Sequence, residues 1–288
     1  MPEFPLIDAH VHLYDPARIA YPWLEGVPAI GGAHLPRDYR AACGEVGVER
    51  MVFAEVDAAE GQGVAEARFA AALAGEEPRL AGLIACARVE RGAAVGEEVA
   101  ALAESGLVRG IRRLIQDRPP GFCVAGGFVE GVRRLADFGL PFDLCIRHHQ
   151  MGEAIALARA CPEVGFVLDH LGKPPIAAGA LDPWRGEIGE LARLPNVCVK
   201  ISGVLSEAGP GWSVAAIRPY VAHAIECFGF GRALFGGDWP VVDLVASLPA
   251  WVGALDALLA GASAAERRAL YRDNAARVYR LAPASGTG

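Results

Sequence analysis

The chain alternates between short strand-like runs and longer helical segments, and this alternation restricts its fold more than any other feature of the sequence. Eight runs rich in apolar and β-branched residues predict strands. They span residues 4–13, 50–56, 80–87, 108–115, 141–147, 164–170, 196–202 and 233–238. Segments such as 64–74, 95–103 and 151–160 have apolar residues three and four positions apart, which predicts amphipathic helices between the strands.

Strands that alternate with helices pair in parallel, and eight such units in 288 residues favour a closed barrel over an open sheet. Neither G-x-G-x-x-G nor G-x-x-x-x-G-K-[ST] follows a predicted strand, which argues against a nucleotide-binding open sheet. We therefore expect an α/β protein, a (β/α)8 TIM barrel that forms a single domain over residues 1–288.

The functional residues of such a barrel lie where the strands end, and many polar residues of this chain occupy those positions. Five of the seven histidines are among them. In chain order the set is His10, His12, Glu55, Asp57, Arg112, Arg113, Gln116, Arg147, His148, His149, Asp169, His170, Lys173, Lys200, Ser202, Asp238 and Trp239. Only one of two adjacent strand residues faces the barrel centre, so at most one of His148 and His149 reaches the site. Alternation leaves open whether Arg112 or Arg113 faces inward.

The first predicted strand carries the pattern His10-x-His12, preceded by Asp8. Alternation along a strand predicts that these three side chains share one face. Two imidazoles that converge at a strand end can ligate one divalent cation, or both can donate to one substrate oxygen. His34 and His223 lie away from the predicted strand ends, and we expect surface positions for them.

Lysine occurs only at positions 173 and 200, whereas arginine supplies all the other long basic side chains. Both lysines fall at predicted strand ends, which indicates positions where a compact ammonium is required. Alternation places Lys200 and Ser202 on one face of the seventh strand, and Val199 and Ile201 on the opposite, apolar face. We therefore expect Lys200 to point into the barrel and to bind substrate.

The composition argues against several classes of partner. The formal net charge is −7 and the basic residues form no cluster, which disfavours nucleic acid and anionic membrane surfaces. No apolar run reaches membrane-spanning length, and the first residues show no export signal. Seven cysteines without a C-x-x-C pair indicate reduced thiols. We expect a cytoplasmic protein that binds a small molecule but no nucleic acid and no membrane, and a homo-oligomer is compatible with this composition.

Five segments together resemble a known family. They are IDAHVH at 7–12, YPWL at 21–24, VLDHLGKP at 167–174, VKISG at 199–203 and FGGDWP at 235–240. The order H-x-H, D-H-x-G-K-P, G-x-D-W-P resembles the amidohydrolase superfamily, and within it the lactonase branch, whose members act on lactones of sugar acids and of pyrone dicarboxylates. The resemblance extends from about residue 6 to about residue 279. It implies a (β/α)8 barrel and hydrolysis of a cyclic ester.

Carried over position by position, the resemblance makes His10, His12, His170 and Asp238 the catalytic set. Opening a lactone requires an activated water, a polarised carbonyl and a proton for the departing alkoxide. Asp238 is the candidate base that takes the proton from water and returns it to the leaving oxygen, while the histidines hold the carbonyl oxygen. The candidate substrate-binding residues are Lys200, Arg112, Gln116, His148, Trp23 and Trp239.

Two interpretations of the metal content are open. One divalent cation, zinc or manganese, can be held by His10, His12 and Asp238 together with water. In the other interpretation the histidines polarise the carbonyl without a metal. Two-metal centres of the superfamily use a carboxylated lysine or a glutamate on the fourth strand, and residues 108–115 contain neither, so the sequence disfavours a binuclear site.

Other functions are compatible with parts of the pattern. A metal-dependent decarboxylase, or another amidohydrolase of the superfamily, would share H-x-H and the aspartate of the eighth strand. A barrel that only binds a partner would have lost some of the four matched positions, and all four are present. Gly237, where the family more often has serine, and Arg113, where sugar lactonases often have histidine, leave the identity of the lactone open.

Overall fold

A computed structural model describes residues 2–282, which form one sheet of eight parallel strands paired in chain order. The strands are β1 Leu6–Val11, β2 Val48–Ala54, β3 Leu80–Cys86, β4 Val108–Arg112, β5 Phe142–Leu144, β6 Phe166–Leu168, β7 Val197–Ile201 and β8 Ala233–Phe235. In the register of the sheet, Phe142 pairs with Phe166, and Phe166 pairs with Val197. The predicted (β/α)8 barrel is confirmed, while residues 1 and 283–288 of the predicted domain lie outside the described residues.

Helices connect the strands. They are α1 Pro36–Cys43, α2 Gly63–Leu73, α3 Val95–Ala103, α4 Gly126–Arg134, α5 Met151–Ala160, α6 Trp184–Ala192, α7 Val204–Ala208, α8 Val214–Phe228, α9 Leu248–Leu258, α10 Ala264–Arg268 and α11 Asn274–Val278. The helices predicted at 64–74, 95–103 and 151–160 are confirmed as α2, α3 and α5. Within residues 2–282, no helix combines the length and the apolar character needed to cross a bilayer.

The barrel closes between β1 and the residues that follow β8. The amide of Asp238 donates to the carbonyl oxygen of His10 (2.8 Å), and the amide of His12 donates to the carbonyl oxygen of Trp239 (2.8 Å). Val11 and Trp239 form a parallel bridge across this seam. The closure therefore lies at the carboxyl ends of the two strands.

Between Asp8 and Val11, the strand β1 contains one residue more than the paired stretch of β2. Three steps along β1, from Asp8 to Val11, match two steps along β2. Asp8 consequently faces α1, where the hydroxyl of Tyr39 donates to its Oδ2 (2.8 Å). His10, by contrast, contacts side chains from the opposite wall of the barrel. The prediction that Asp8 shares a face with His10 and His12 is wrong, because a bulge of this kind changes the phase of the alternation.

Apolar side chains pack on both sides of the sheet. Alternate strand residues such as Phe142, Phe166 and Val199 pack with the helices in the main core. A second cluster fills the floor of the barrel, where Tyr279 and Leu281 pack against residues of the strands. Those strand residues are Ile7, Ala9, Val52, Ala54, Ile84, Val167 and Leu234. The polar interior of the barrel therefore lies above an apolar floor.

Every strand ends earlier than predicted, and three of them are much shorter than the predicted runs. The strands β5, β6 and β8 have three residues each, whereas the predicted runs cover 141–147, 164–170 and 233–238. His170 and Asp238, which follow β6 and β8, have φ angles of 53° and 57°. This left-handed conformation is incompatible with a strand and turns both side chains toward the mouth of the barrel.

Candidate active site

A cavity of about 400 Å³ lies at the carboxyl ends of the strands, the end of the barrel where the sequence predicts the site. Side chains that end or follow seven of the eight strands line it. Apart from histidines, six of the lining residues are acidic or basic: Asp57, Arg112, Asp117, Lys173, Glu207 and Asp238. The cavity is therefore polar and carries charges of both signs.

The four residues predicted to be catalytic converge on one carboxylate oxygen. Oδ1 of Asp238 lies 3.5 Å from Nε2 of His12, 3.7 Å from Nε2 of His10 and 3.9 Å from Nε2 of His170. His12, His170 and Asp238 line the cavity, whereas the ring of His10 is completely buried beside them. The geometry places three imidazoles around one potential proton acceptor.

Strained backbone is concentrated around this cavity. Seven described residues other than glycine have a positive φ, and five of these line the cavity. The five are Asp57, Asp117, His170, Lys173 and Asp238. Left-handed conformations cost about 1–2 kcal/mol for a residue with a Cβ, and such costs are characteristic of functional sites.

Two of the imidazoles are oriented by bonds to their Nδ1 atoms. Nδ1 of His12 lies 2.9 Å from the carbonyl oxygen of Ala54, which can only accept, so this nitrogen carries a proton. Nδ1 of His170 lies 2.9 Å from Oγ of Ser202. Gly203 permits this approach, because a Cβ at that position would lie 2.6 Å from Nδ1 of His170.

The site holds Asp238 ionised and two histidines neutral. Burial disfavours the charge of Asp238, but the three histidines outweigh burial and hold the pKa of this carboxyl well below its usual value. Burial lowers the pKa of His170 to about 4, against the opposing effect of Asp238. Burial, with a contribution from the charge of Lys200, also holds the pKa of His10 well below its usual value. At neutral pH an anionic acceptor therefore faces uncharged imidazoles.

Arg112 is the inward-facing member of the Arg112–Arg113 pair. Its Nε donates to Oε1 of Glu55 (2.7 Å), and its Nη1 donates to Oδ2 of Asp169 (3.1 Å). The same Nη1 lies 3.3 Å from Nε2 of His10. Arg113 instead pairs with Glu90, which follows β3, at a distance of 2.6 Å between Nη2 and Oε1. Arg112 thus links the cavity to the buried charges below it.

Lys200 points into the barrel as predicted, but it does not reach the cavity. Its side chain is completely buried, and its Nζ donates to Oδ2 of Asp143 (2.5 Å). The same Nζ lies 3.0 Å from Oδ1 of Asp169 and 3.2 Å from Nδ1 of His10. The prediction that Lys200 binds substrate is corrected, because side-chain alternation predicts the direction of a residue but not its depth.

The other predicted substrate-binding residues divide into two groups. Trp23 and Gln116 line the cavity, and Nε1 of Trp23 donates to the carbonyl oxygen of Val56 (2.7 Å). His148 does not line it, because its Nδ1 is engaged with the carbonyl oxygen of Lys173 (3.1 Å).

Trp239 is also outside the cavity. Its indole is buried and packs edge-on against the rings of His34 and Tyr39, since the main chain of Trp239 belongs to the barrel seam. His34 is therefore half-buried rather than on the surface, and His223 is half-buried against the carbonyl oxygen of Arg185.

Four lining residues whose side chains carry oxygen atoms were missed from the sequence: Tyr14, Asp117, Ser206 and Glu207. Asp117 directly follows Gln116, and Ser206 and Glu207 follow β7 within a few residues. The signal that could have found them is the loop after each predicted strand, rather than the strand end alone. Burial raises the pKa of Glu207, and the nearby charges of Lys173 and Arg147 act against this increase.

The residues around Asp238 fit a divalent cation. Ligand atoms of His10, His170 and Asp238 all lie within 4.8 Å of one another, and Nε2 of His12 faces the same carboxylate. Because Nδ1 of His12 carries a proton, a neutral His12 presents the lone pair of Nε2 to Oδ1 of Asp238. Two acceptors that face each other require a proton or a cation between them, and imidazole with carboxylate is a zinc ligand set. The set predicted from the sequence was His10, His12 and Asp238; among the described residues, the group within 4.8 Å contains His170 in place of His12.

The chain is similar to known proteins over nearly its whole length. A family model described as Amidohydrolase matches residues 7–281. An L-fucono-1,5-lactonase of Burkholderia multivorans is 31% identical over 289 residues, which cover 96% of each chain. An L-rhamnono-gamma-lactonase of Scheffersomyces stipitis is 26% identical and spans 98% of this chain and 100% of its own length. A solved structure of an amidohydrolase from Burkholderia multivorans with bound zinc superposes with a TM-score of 0.87 at 30% identity, covering 97% of this chain and 100% of that one.

Proposed function

Because the chain belongs to the amidohydrolase family, as its five segments predicted, we propose that it opens a lactone by hydrolysis with Asp238 as the general base. The observation that carries this proposal is the convergence of three imidazoles on Oδ1 of Asp238 beside an open cavity. The relatives with lactonase names support the reaction class. The neutral histidines and the ionised aspartate are the protonation states that the reaction requires.

In the proposed reaction Asp238 transfers one proton twice. Its carboxylate accepts a proton from water as the water oxygen attacks the carbonyl carbon, which yields a tetrahedral oxyanion. The bond between this carbon and the ring oxygen then breaks, and Asp238 returns the proton to the departing oxygen. The product is the open hydroxy acid, and the aspartate is again ionised.

His170 and Arg112 are suited to hold the carbonyl oxygen as it becomes negative. The hydroxyl of Ser202 can donate to Nδ1 of His170, which leaves the proton of neutral His170 on Nε2, the nitrogen nearer Asp238. The guanidinium of Arg112 also lines the cavity and is fixed by Glu55 and Asp169. Donors fixed before the reaction stabilise an oxyanion without a cost of reorganisation.

A divalent cation is compatible with the same residues. His10, His12, His170 and Asp238 would hold it. When bound, a zinc or manganese ion supplies a Lewis acid for the carbonyl oxygen and lowers the pKa of water.

The charges of the cavity favour a neutral, hydroxyl-rich lactone over a dicarboxylate. Four lining carboxylates stand against two lining cations, and Arg112 is already paired with two further carboxylates. A substrate with two carboxylates would therefore find few free partners and several repulsive ones. Trp23 can stack on a sugar ring, because its indole nitrogen is already satisfied by Val56.

A lactone screen tests the proposal. Acid release at fixed pH is followed for L-fucono-1,5-lactone, L-rhamnono-1,4-lactone and 2-pyrone-4,6-dicarboxylate, with and without chelator and after addition of zinc or manganese. We expect the two neutral lactones to be opened with the higher kcat/KM. No acid release from any lactone in any metal condition would contradict the reaction, and a preference for the dicarboxylate would contradict the substrate class.

A further inference from the structure

Lys173 lies on a left-handed turn that ties it to the reacting centre. The four residues from His170 to Lys173 have φ angles of 53°, 57°, 71° and 51°. The turn directs both His170 and Lys173 into the cavity, while Leu171 and Gly172 between them are buried. One backbone turn thus sets the positions of both His170 and Lys173 at the wall of the cavity.

The half-buried Lys173 differs in its surroundings from the buried cations Arg112 and Lys200. Arg112 and Lys200 each lie within 3.1 Å of two carboxylates. Across residues 2–282, no carboxylate oxygen lies within 4.0 Å of Nζ of Lys173, which donates to Oε1 of Gln116 instead. An ammonium has three protons to donate, so Lys173 has donors left for a ligand.

A carboxylate and a hydroxyl lie on the wall of the same cavity as Lys173. Glu207, on α7, is close enough to Lys173 for their charges to interact. Its neighbour Ser206 also lines the cavity, and the buried Oγ of Ser206 has no hydrogen-bond partner in the described part of the chain. Lys173 therefore offers a charged donor, Glu207 a charged acceptor and Ser206 a hydroxyl that has no partner among the described residues.

We propose that Lys173, together with Gln116, Ser206 and Glu207, forms the subsite that determines specificity by binding the ring hydroxyl groups of the substrate. The assignment rests on the proposed lactone hydrolysis for its substrate class. A hydroxyl both donates and accepts, so it can satisfy Lys173 and Glu207 together, whereas a substrate carboxylate would be repelled by Glu207. Lys173 is therefore a specificity-determining residue and not a participant in the bond changes.

The test measures binding rather than turnover. Isothermal titration calorimetry compares a trihydroxylated six-membered lactam, which resists hydrolysis, with piperidin-2-one, which lacks the hydroxyl groups. We expect Lys173→Met to weaken binding of the hydroxylated lactam about 10- to 100-fold, the usual effect of losing hydrogen bonds from a charged group, and to leave piperidin-2-one unchanged. Gln116→Leu, which removes the partner of Lys173, should have a weaker effect in the same direction.

Arg118→Met is the matched control. Arg118 is exposed at the same end of the barrel, packs on the ring of Phe122 and does not line the cavity, so its loss removes a positive charge without removing a ligand contact. We expect it to leave binding of both lactams unchanged.

Several results would overturn the subsite. These are an equal effect of Lys173→Met on both lactams, no effect on either, no binding of the hydroxylated lactam by the unmodified protein, or tighter binding of 6-oxopiperidine-2-carboxylate than of the hydroxylated lactam. Selective, Lys173-dependent lactam binding by a protein that opens no lactone would support the subsite and contradict the proposed function.

Discussion

Asp238 performs both proton transfers of the proposed reaction, so its replacement by asparagine is the most direct residue-scale test. Asp238→Asn keeps the size of the side chain and its backbone bond to His10 but removes the basic oxygen. We expect kcat on the best lactone to fall about 10²- to 10⁴-fold, the range typical of a lost general base. Thermal unfolding of the variant, measured in parallel, should show a folded protein, and a turnover near that of the unmodified protein would contradict the mechanism.

We predict that Lys200 stabilises the folded protein by neutralising two buried carboxylates. It is completely buried against Asp143 and Asp169. Lys200→Met leaves both carboxylates without their shared cation, so we expect the free energy of unfolding to fall by about 3–5 kcal/mol. Urea denaturation measures this change.

Lys173→Met is the control for Lys200→Met, because Lys173 is half-buried and has no carboxylate within 4.0 Å among residues 2–282. Its effect on unfolding should be much smaller. Equal losses of stability in the two variants would show that the buried ion pairs of Lys200 contribute little.

At the residue scale the sequence predicts which side chains face the barrel better than how deep they lie. Lys200 faces inward as its alternation with Val199 predicts, yet it lies below the cavity, whereas Lys173 lines the cavity. Asp8 shows a different limit. Its orientation depends on one extra residue in β1, and the residue types give no indication of where a bulge occurs.

At the scale of the elements, the short segments after β6, β7 and β8 orient the reacting groups, and Gly203 is where this can be tested. Gly203 has a φ of 63° just before α7, and a Cβ there would lie 2.6 Å from Nδ1 of His170. We expect Gly203→Ala to displace the imidazole and lower kcat at least about tenfold, in addition to a strain of about 1–2 kcal/mol.

Gly179 supplies the matched control for Gly203. It has a φ of 65° and a ψ of 15°, close to the 63° and 4° of Gly203, but a Cβ at this position would have no neighbour within 4 Å. Gly179→Ala should therefore cost similar stability in thermal unfolding while kcat stays unchanged. Similar losses of kcat in both variants would mean that backbone strain, rather than contact with His170, explains the effect.

The sequence predicts the helices α2, α3 and α5 almost to the residue, but it predicts longer runs for β5, β6 and β8 than the structure has. Helices are recognised from a regular spacing of apolar residues. Near a strand end, apolar residues are selected for packing and polar residues for catalysis. The pattern of apolar and polar residues therefore does not show where the strand itself stops. His170 and Asp238 therefore look like strand ends although both have left-handed backbones.

For the molecule as a whole, one buried acid predicts how stability depends on pH. Burial, and then repulsion by Glu55, raises the pKa of Glu66 from 4.5 to about 8. Between these pH values the folded protein keeps a proton that the unfolded chain releases, so the free energy of unfolding falls as the pH rises. Glu66→Gln removes this contribution, and we expect the variant to be more stable than the unmodified protein at pH 9 and equal to it at pH 4.

Denaturant unfolding across this pH range checks the prediction for Glu66. Glu76→Gln is the control, because Glu76 is exposed on the loop after α2 and should change neither end of the profile. A Glu66→Gln variant whose stability runs parallel to that of the unmodified protein at every pH would rule out the raised pKa.

The architecture of the whole molecule was the most predictable feature. Eight alternations of strand and helix determine a closed barrel, and a closed barrel determines which end carries the site. The floor was not predictable in the same way. Tyr279 and Leu281 fill it from the far end of the described chain, and no local pattern marks two residues as partners of strands more than 200 positions away, such as β1.

The seam of the barrel has a consequence for how such a protein can diverge. The main chains of His10, His12, Asp238 and Trp239 close the barrel, and three of these residues also supply the proposed chemistry. A mutation that relocates the reacting groups would therefore reopen the seam, whereas the loops that carry Asp57, Gln116, Lys173 and Glu207 take no part in closure. New substrates can arise by changing these loops alone, while the reaction itself is inherited together with the closed barrel.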